Sequence, residues 1–331
     1  MTVNVLFTSA GRRVELLRAF RRAYEALGLE GRIIATDLDP LAPALQAADR
    51  TYMVPAVSEA DYIPSLVAIC QKERVGLVFP LIDPDIPVLA RHREAIEATG
   101  AKVVAVSQEV ATLTSDKWTT DDLFRRLAIR TPLTWLPDTL DPAQITFPLF
   151  VKPRRGSAGK DSFKVNNERE LATFLDRVPE PVIQEFLPGP EVTTDTICSL
   201  NGQVSGVLSR QRIEVRSGEV AKGVTIHDPA IQKACIKIAQ ALSAVGPLTI
   251  QCIMKAGKPY FTEVNARFGG GIPLSIAAGV DSPRWLLAEA AGIQVDIPPL
   301  ASYQVGLLMT RFDDSYFLTK NEYEQLASRH I

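Results

Sequence analysis

The sequence predicts an α/β protein, with an N-terminal parallel sheet followed by an α+β region of two parts. Three observations carry that expectation. Short apolar runs alternate with amphipathic stretches over residues 1–106. A proline-marked link, TPLTWLPDTLDP (131–142), closes that pattern. Beyond it, strand-like runs follow one another through glycine turns, so helices and strands no longer alternate.

In the first part, VNVLF (3–7) reads as a buried strand. RVELLRAFRRAYEALG (13–28) places Val14, Leu17, Phe20 and Tyr24 at helical spacing, with Gly28 as the stop. RIIATD (32–37), TYMVP (51–55), VGLVFPL (75–81) and KVVAVS (102–107) supply four more strands, and 61–74 and 86–99 supply helices. Strands joined through amphipathic helices predict a doubly wound parallel sheet. Ser107 is set to cap a helical stretch that runs to about Leu127.

The second part begins with strand, glycine-containing loop, strand: FPLFVKP, RRGSAGKD, SFKV. A helix at 168–177 and the strand VIQEFL follow. Residues 191–226 read as a strand meander and 229–244 as a long helix. Strands at 247–254 and 259–266 and helices near 273–279 and 283–291 complete the pattern, and 300–331 carries weak signals. The expected domains are 1–108, 109–188 and 189–331.

Composition narrows the function. With 331 residues and 46% apolar content, the chain has material for a large core. A net charge of −2 argues against bulk binding of nucleic acid. Four scattered cysteines and three histidines show no metal-ligand spacing, so buried free thiols in a reducing, cytoplasmic setting are expected. The first residues lack a basic segment before their apolar run, so no signal peptide is expected. No apolar run reaches the roughly 20 residues of a membrane span.

Three motifs carry chemistry. In FTEVNARFGG (261–270), Glu263, Asn265 and Arg267 alternate along one strand face. A three-residue turn at Ala256-Gly257-Lys258 would put Gln251 opposite Glu263 and Thr249 opposite Asn265. Gln251, Glu263 and Asn265 then converge as hard oxygen ligands suited to Mg²⁺ with phosphates, while Arg267 can hold a phosphate in two-pronged fashion. The second motif sets Lys152 on a strand before a loop with Gly156, Ser157 and Gly159, a flexible flap for phosphates. In the third, the strand end Gln184–Leu187 and then Glu191 offer backbone groups to an adenine edge and a carboxylate to ribose.

Taken in order with Lys117, these motifs resemble the ATP-grasp superfamily, most closely the halves of the carbamoyl-phosphate synthase large subunit and related carboxylate–amine ligases. The resemblance implies a Rossmann-like pre-ATP-grasp domain followed by a two-part ATP-grasp fold, with ATP and Mg²⁺ (or Mn²⁺) as cofactors. It implies that Lys117 and Lys152 hold nucleotide phosphates, Gly156, Ser157 and Gly159 form the flap, and Glu185 and Leu187 form the adenine hinge. It further implies that Glu191 meets ribose, Gln251, Glu263 and Asn265 hold metal, and Arg267 steadies the transferring phosphoryl group. The expected reaction is ADP-forming ligation of a small carboxylate to an amine through an acyl phosphate. The alternative is a carbamoyl-phosphate-synthase-like subunit that needs a partner for ammonia or turnover.

Substrate residues are expected at two places. Arg210 and Arg212 share a strand face and can hold an acyl phosphate or a carboxylate. Gly11, Arg12 and Arg13, at a strand-to-helix turn, form an anion site beside Asp37 and beside Asp83 and Asp85 at strand ends, an arrangement that suits an amino acid. A dinucleotide oxidoreductase is disfavoured because TSAGRR has one glycine where that fingerprint needs three. The surface of the first domain is a candidate homodimer face.

Overall fold

The structure is a computed structural model that describes residues 2–329 apart from 142, 144, 157, 158 and 217. Strands β1 (Asn4–Thr8), β2 (Ile33–Asp37), β3 (Arg50–Met53), β4 (Val75–Pro80) and β5 (Lys102–Val103) form a parallel sheet in the order β3-β2-β1-β4-β5. Helices α1 (Val14–Leu27), α2 (Pro43–Ala47), α3 (Tyr62–Glu73), α4 (Asp85–Arg91) and α5 (Arg93–Glu97) connect them. Strand order reverses between β1 and β4, so the turns after these strands flank the crevice where such sheets bind ligands. Arg12, Arg13 and Asp83 lie on those turns.

Two expected elements are shorter than the sequence implies, for one reason. The helix expected at 86–99 breaks at His92, and the strand expected at 102–107 pairs only through Val103. Arg93 follows the break, and its guanidinium donates to the carbonyls of Val103, Ala105 and Val106. A side chain thus satisfies the carbonyls that a strand partner would have taken.

The stretch after Ser107 also divides. Ser107 caps α6 (Gln108–Ser115), accepting from the Val110 amide. Asp116 then adopts an extended backbone, ends α6 and caps α7 (Lys117–Arg126) by accepting from the Trp118 amide. Arg154 and Arg155 pair with the Asp116 carboxylate and fix the break. Lys117 therefore sits at the first position of a helix.

A small antiparallel sheet, β6-β9-β7-β8, is built from β6 (Thr134–Trp135), β7 (Leu149–Pro153), β8 (Phe163–Val165) and β9 (Pro181–Glu185), with α8 (Glu168–Arg177) against it. The large antiparallel sheet runs β14-β13-β10-β11-β12-β15. Its members are β10 (Glu191–Cys198), β11 (Val204–Arg216), β12 (Glu219–Ile226), β13 (Gly246–Lys255), β14 (Lys258–Asn265) and β15 (Leu308–Thr310). Helix α9 (Pro229–Ala241) packs on β10 and β11. Helices α10 (Ile272–Ala277) and α11 (Ser282–Ala290) pack on α1, and α12 (Lys320–Ala327) packs on β3. Up to Arg329 the weakly marked tail packs on the rest: β15 extends the large sheet, and the Met53 amide donates to the carbonyl of Arg329.

The main core joins the N-terminal sheet to the large sheet. Phe7, Phe20 and Phe79 of the first domain cluster with Phe268, which follows β14. Phe268 is 1% exposed. Its burial against the parallel sheet holds the loop of residues 266–271 at the domain junction. All four cysteines are buried and free. Among the described residues, no helix is long and apolar enough to cross a membrane.

Candidate active site

A cavity of about 670 Å³ opens between the small sheet, the large sheet and the β1 and β4 turns. Its walls include Lys117, Lys152, Gly156, Gly159, Glu185, Leu187 and Glu191, and also Gln251, Glu263, Asn265 and Arg267. Arg12, Asp83, Arg210 and Arg212 also face it. Ser157 lies outside the described residues. Gly11 and Asp37 are not among the lining residues. The Gly11 amide donates to Asp37 Oδ2 at 2.7 Å and the Asp39 amide donates to Oδ1 at 3.0 Å. The expected anion site at Gly11 is thus corrected: its N–H and its neighbouring carboxylate hold the turn together instead of facing a ligand.

The floor has the expected pairing through a different turn. Gln251 stands opposite Glu263 and Thr249 opposite Asn265. However, Lys255 pairs with Lys258, so the turn has two residues, Ala256 (φ 50°) and Gly257 (φ 72°). Two left-handed residues are what a tight two-residue hairpin needs. A bulge between Gln251 and Cys252 then shifts the register by one. That shift keeps Gln251 and Glu263 in register at the cavity.

Two ionic groups on this floor lack direct protein partners. Lys152, on β7, is 8% exposed. Among the described residues its ammonium makes no hydrogen bond, nor any ion pair within 4 Å. Burial pulls its ammonium down to about 8, against the pull of Glu263. Glu263 also makes no hydrogen bond or ion pair among the described residues. It is half-buried and faces the cavity; burial pushes its carboxyl up, while Lys117 and Lys152 pull it down. Buried charges normally come paired, so a carboxylate and an ammonium left open across one cavity suit a bound cation and a bound anion.

The donor set fits a hard divalent cation with help. Among the described residues, no group of three His, Cys, Asp or Glu could hold a metal by itself. One carboxylate and two amide oxygens leave positions for phosphate oxygens and water, the usual arrangement for Mg²⁺.

Other expected residues are already paired. Arg267 grips Asp83 through two bonds of 2.8 and 2.7 Å, so Asp83 positions the guanidinium and is not left free for a substrate ammonium. Arg212 donates to Glu191 at 2.6 Å, joining an expected phosphate ligand to the expected ribose ligand. The Glu185 side chain accepts from the Leu133 amide at 3.1 Å and pairs with Lys255 at 2.5 Å. This leaves the backbone of the strand end to face the cavity. The Leu187 amide has no hydrogen-bond partner among the described residues. Lys117 Nζ donates to the Gly156 carbonyl at 2.9 Å, tying helix α7 to the glycine loop.

Around the glycines, Glu219 and Val220 join residues already expected at the site. Gly269 approaches Thr249 and Arg210, Gly270 approaches Arg13 and Glu219, and Gly271 approaches Arg210 and Val220. A Cβ at Gly271 would lie 2.4 Å from Arg210 Nε. The loop thus crosses the sheet from β13 to β12 at a spacing that only glycine permits. Arg210, 2% exposed, pairs beneath it with buried Asp195 at 3.3 Å. Burial lowers the Arg210 pKa against the pull of Asp195.

This geometry defines a class first: a two-sheet cleft with an open lysine, an open carboxylate and arginines converging on one anion-binding floor. Residues 5–104 match the family of PylC-like N-terminal domains, and residues 114–271 match the ATP-grasp domain family. The chain belongs to the ATP-grasp superfamily. It is 25% identical over 302 residues to the carbamoyl phosphate synthase large chain of Thermoanaerobacter sp. (strain X514), covering 84% of this chain and 27% of that protein. It is 26% identical over 189 residues to the D-alanine–D-alanine ligase of Fusobacterium nucleatum, covering 53% of this chain and 63% of that one. The chain thus spans about a quarter of the synthase chain it resembles. Among solved structures, the biotin carboxylase domain of Hydrogenobacter thermophilus 2-oxoglutarate carboxylase, in complex with MgADP, ADP and bicarbonate, superposes with a TM-score of 0.70. The identity there is 17%, over 92% of this chain and 73% of that one.

Proposed function

We propose that this protein is an ATP-dependent, ADP-forming carboxylate–amine ligase that works through an acyl phosphate. The observation that carries this reading is the pair of open buried charges, Lys152 and Glu263, on a floor with Gln251, Asn265 and Arg267. Lys117 and Lys152 hold the phosphates, the backbone at Glu185–Leu187 meets adenine, and Glu191 meets ribose by sharing its bond with Arg212. Gln251, Glu263 and Asn265 would hold Mg²⁺, which supplies charge neutralisation between nucleotide phosphates.

In the first step, an oxygen of the substrate carboxylate attacks the γ-phosphorus, and the bond to the β,γ-bridging oxygen breaks to release ADP. Arg267, fixed by Asp83, stabilises charge on the transferring group. In the second step, the amine nitrogen attacks the acyl carbon, the C–O bond to phosphate breaks, and the amine's surplus proton leaves with phosphate or water. Positioning and charge neutralisation do the work, so no protein nucleophile is required.

The test is phosphate release from Mg²⁺-ATP across a panel of amino acids and small acids, with hydroxylamine present as a trap. A hydroxamate formed in proportion to ADP supports the ligase. ADP formation that ignores every acid, with no hydroxamate, refutes it.

A further inference from the structure

We propose that this site takes a substrate bearing a second carboxylate, remote from the reacting group, and that Arg13 is the receptor for it. The proposal rests on the ligase reading above. Arg13 opens α1 and its side chain is 15% exposed, at the cavity wall. It lies 3.2 Å from Glu219, yet its guanidinium donates no well-aligned hydrogen bond among the described residues. Its buried Nη1, the atom nearest Glu219, has no hydrogen-bond partner. A guanidinium carries five N–H donors, and leaving a buried one without an acceptor is costly unless a ligand takes it.

The surroundings do not supply that acceptor. Glu219 is shared with Arg311, which bonds it at 3.1 Å and also donates to the Gly270 carbonyl. Asp83 is taken by Arg267. Arg12 also faces the cavity and has no hydrogen bond or ion pair among the described residues. Around Arg13, four guanidiniums (Arg12, Arg13, Arg267 and Arg311) thus meet two carboxylates, Glu219 and Asp83. Counting exposed Glu15, 3.5 Å from Arg311, still leaves positive charge in excess. Burial lowers the Arg13 pKa; Glu219 and Asp83 pull it back up, and nearby Arg267 and Arg311 push it down.

The arrangement is also built. A Cβ on Gly270 would stand 2.8 Å from Arg13 Nη1 and 2.9 Å from Glu219 Cδ. Glycine at 270 therefore lets this arginine lie against the loop that leads from the phosphate floor. A planar fork beside Arg267 matches a carboxylate held apart from the one being phosphorylated. That carboxylate belongs either to a dicarboxylic acid substrate or to an amino-acid acceptor.

The experiment separates these sources. In one arm, succinate and glutarate are compared with propionate and butyrate as acids, with hydroxylamine as the amine. In the other, the best acid is held fixed and alanine is compared with ethylamine as the acceptor. A preference of at least about tenfold for the extra carboxylate is expected in one arm, the size of a charge-assisted fork. The arm in which it appears names the source. Arg13→Gln should bring the pairs near parity. Arg13→Lys keeps the charge beside Glu219 but loses the fork, and should lose most of the preference while melting near the wild-type temperature. Calorimetric titration of succinate against propionate, and of alanine against ethylamine, into the MgADP-loaded chain reads the receptor without turnover. A binding preference there without any hydroxamate would sink the ligase reading and leave the receptor standing. No preference in turnover or binding, or one that persists in Arg13→Gln, overturns the proposal.

Discussion

Replacing Lys152 with methionine should make the nucleotide-free protein more stable and end its response to nucleotide. The fall of the Lys152 pKa from 10.5 to about 8 reflects an ammonium that the native state disfavours. At 1.36 kcal/mol per pKa unit, that is roughly 3 kcal/mol. The sign follows from linkage. The folded pKa lies below the unfolded one, so the charged lysine opposes folding at every pH below about 8. That opposition fades as pH rises from about 8 toward 10.5. For 331 residues, an unfolding entropy near ~0.7 kcal/mol/K converts about 3 kcal/mol into a melting rise of up to about 5 °C at pH 7. Glu263 loses its counter-charge in the variant, so the observed rise should fall below that limit. The assay is differential scanning calorimetry at pH 7 and pH 10, with and without Mg²⁺-ATP. The advantage of Lys152→Met over wild type should be large at pH 7 and shrink by pH 10. Nucleotide should raise the wild-type melting temperature by mass action and leave the variant nearly unmoved. A variant that melts below wild type at pH 7, or that keeps the nucleotide shift, would refute the reasoning.

Three further substitutions probe the floor and the loop. Glu263→Gln should abolish Mg²⁺-dependent ADP formation while a metal-free ADP-induced melting shift persists, because only the carboxylate of the metal set is lost; a variant that still turns over at a wild-type Mg²⁺ requirement would remove Glu263 from the metal site. Arg267→Lys should lower kcat by about 10²–10³ with a smaller change in the nucleotide KM, since the two-bond grip of Asp83 needs a planar fork; a change confined to KM would assign Arg267 to ground-state binding. Gly271→Ala puts a methyl 2.4 Å from Arg210 Nε and 2.7 Å from Val220 Cγ1, so it should pull Arg210 from Asp195 and cost about 3–5 kcal/mol, read as a fall of several degrees in melting temperature.

Local periodicity made most of the fold legible. The alternation of strand and helix up to residue 106, the meander at 191–226 and the final hairpin are each encoded by neighbours a few residues apart, which is the range over which sequence patterns act. What escaped depended on side chains that reach across the chain. Arg93 satisfies three carbonyls and shortens β5, and Asp116 divides one helix into two because Arg154 and Arg155, the two residues after β7, hold it. The floor pairing is the most instructive case, because the expected register arose from a turn of the wrong length. The two-residue turn alone would have set Gln251 opposite Thr262; the bulge moves Glu263 there instead. Since side chains alternate along a strand, a one-residue slip would turn the carboxylate away from Lys152.

The same distinction separates the two halves of the site. Most of the groups that face ATP in this reading lie on strands, next to strand ends or at one helix start, so their spacing in sequence reflects their spacing on a face. The groups around Arg13 come instead from the turn after β1, the β11–β12 hairpin, the crossing loop and the tail after β15, and no short window contains them. The turn TSAGRR marks one part of the place in the sequence, and the glycines at 269–271 mark another, through absence of a side chain. Phe268 explains why that mark works: its ring is buried among Phe20 and Phe79, which pins the loop and fixes which groups each glycine must meet. A larger residue at 270 would have to displace Arg13 and Glu219 together, because the buried ring beside it leaves the loop little room to retreat.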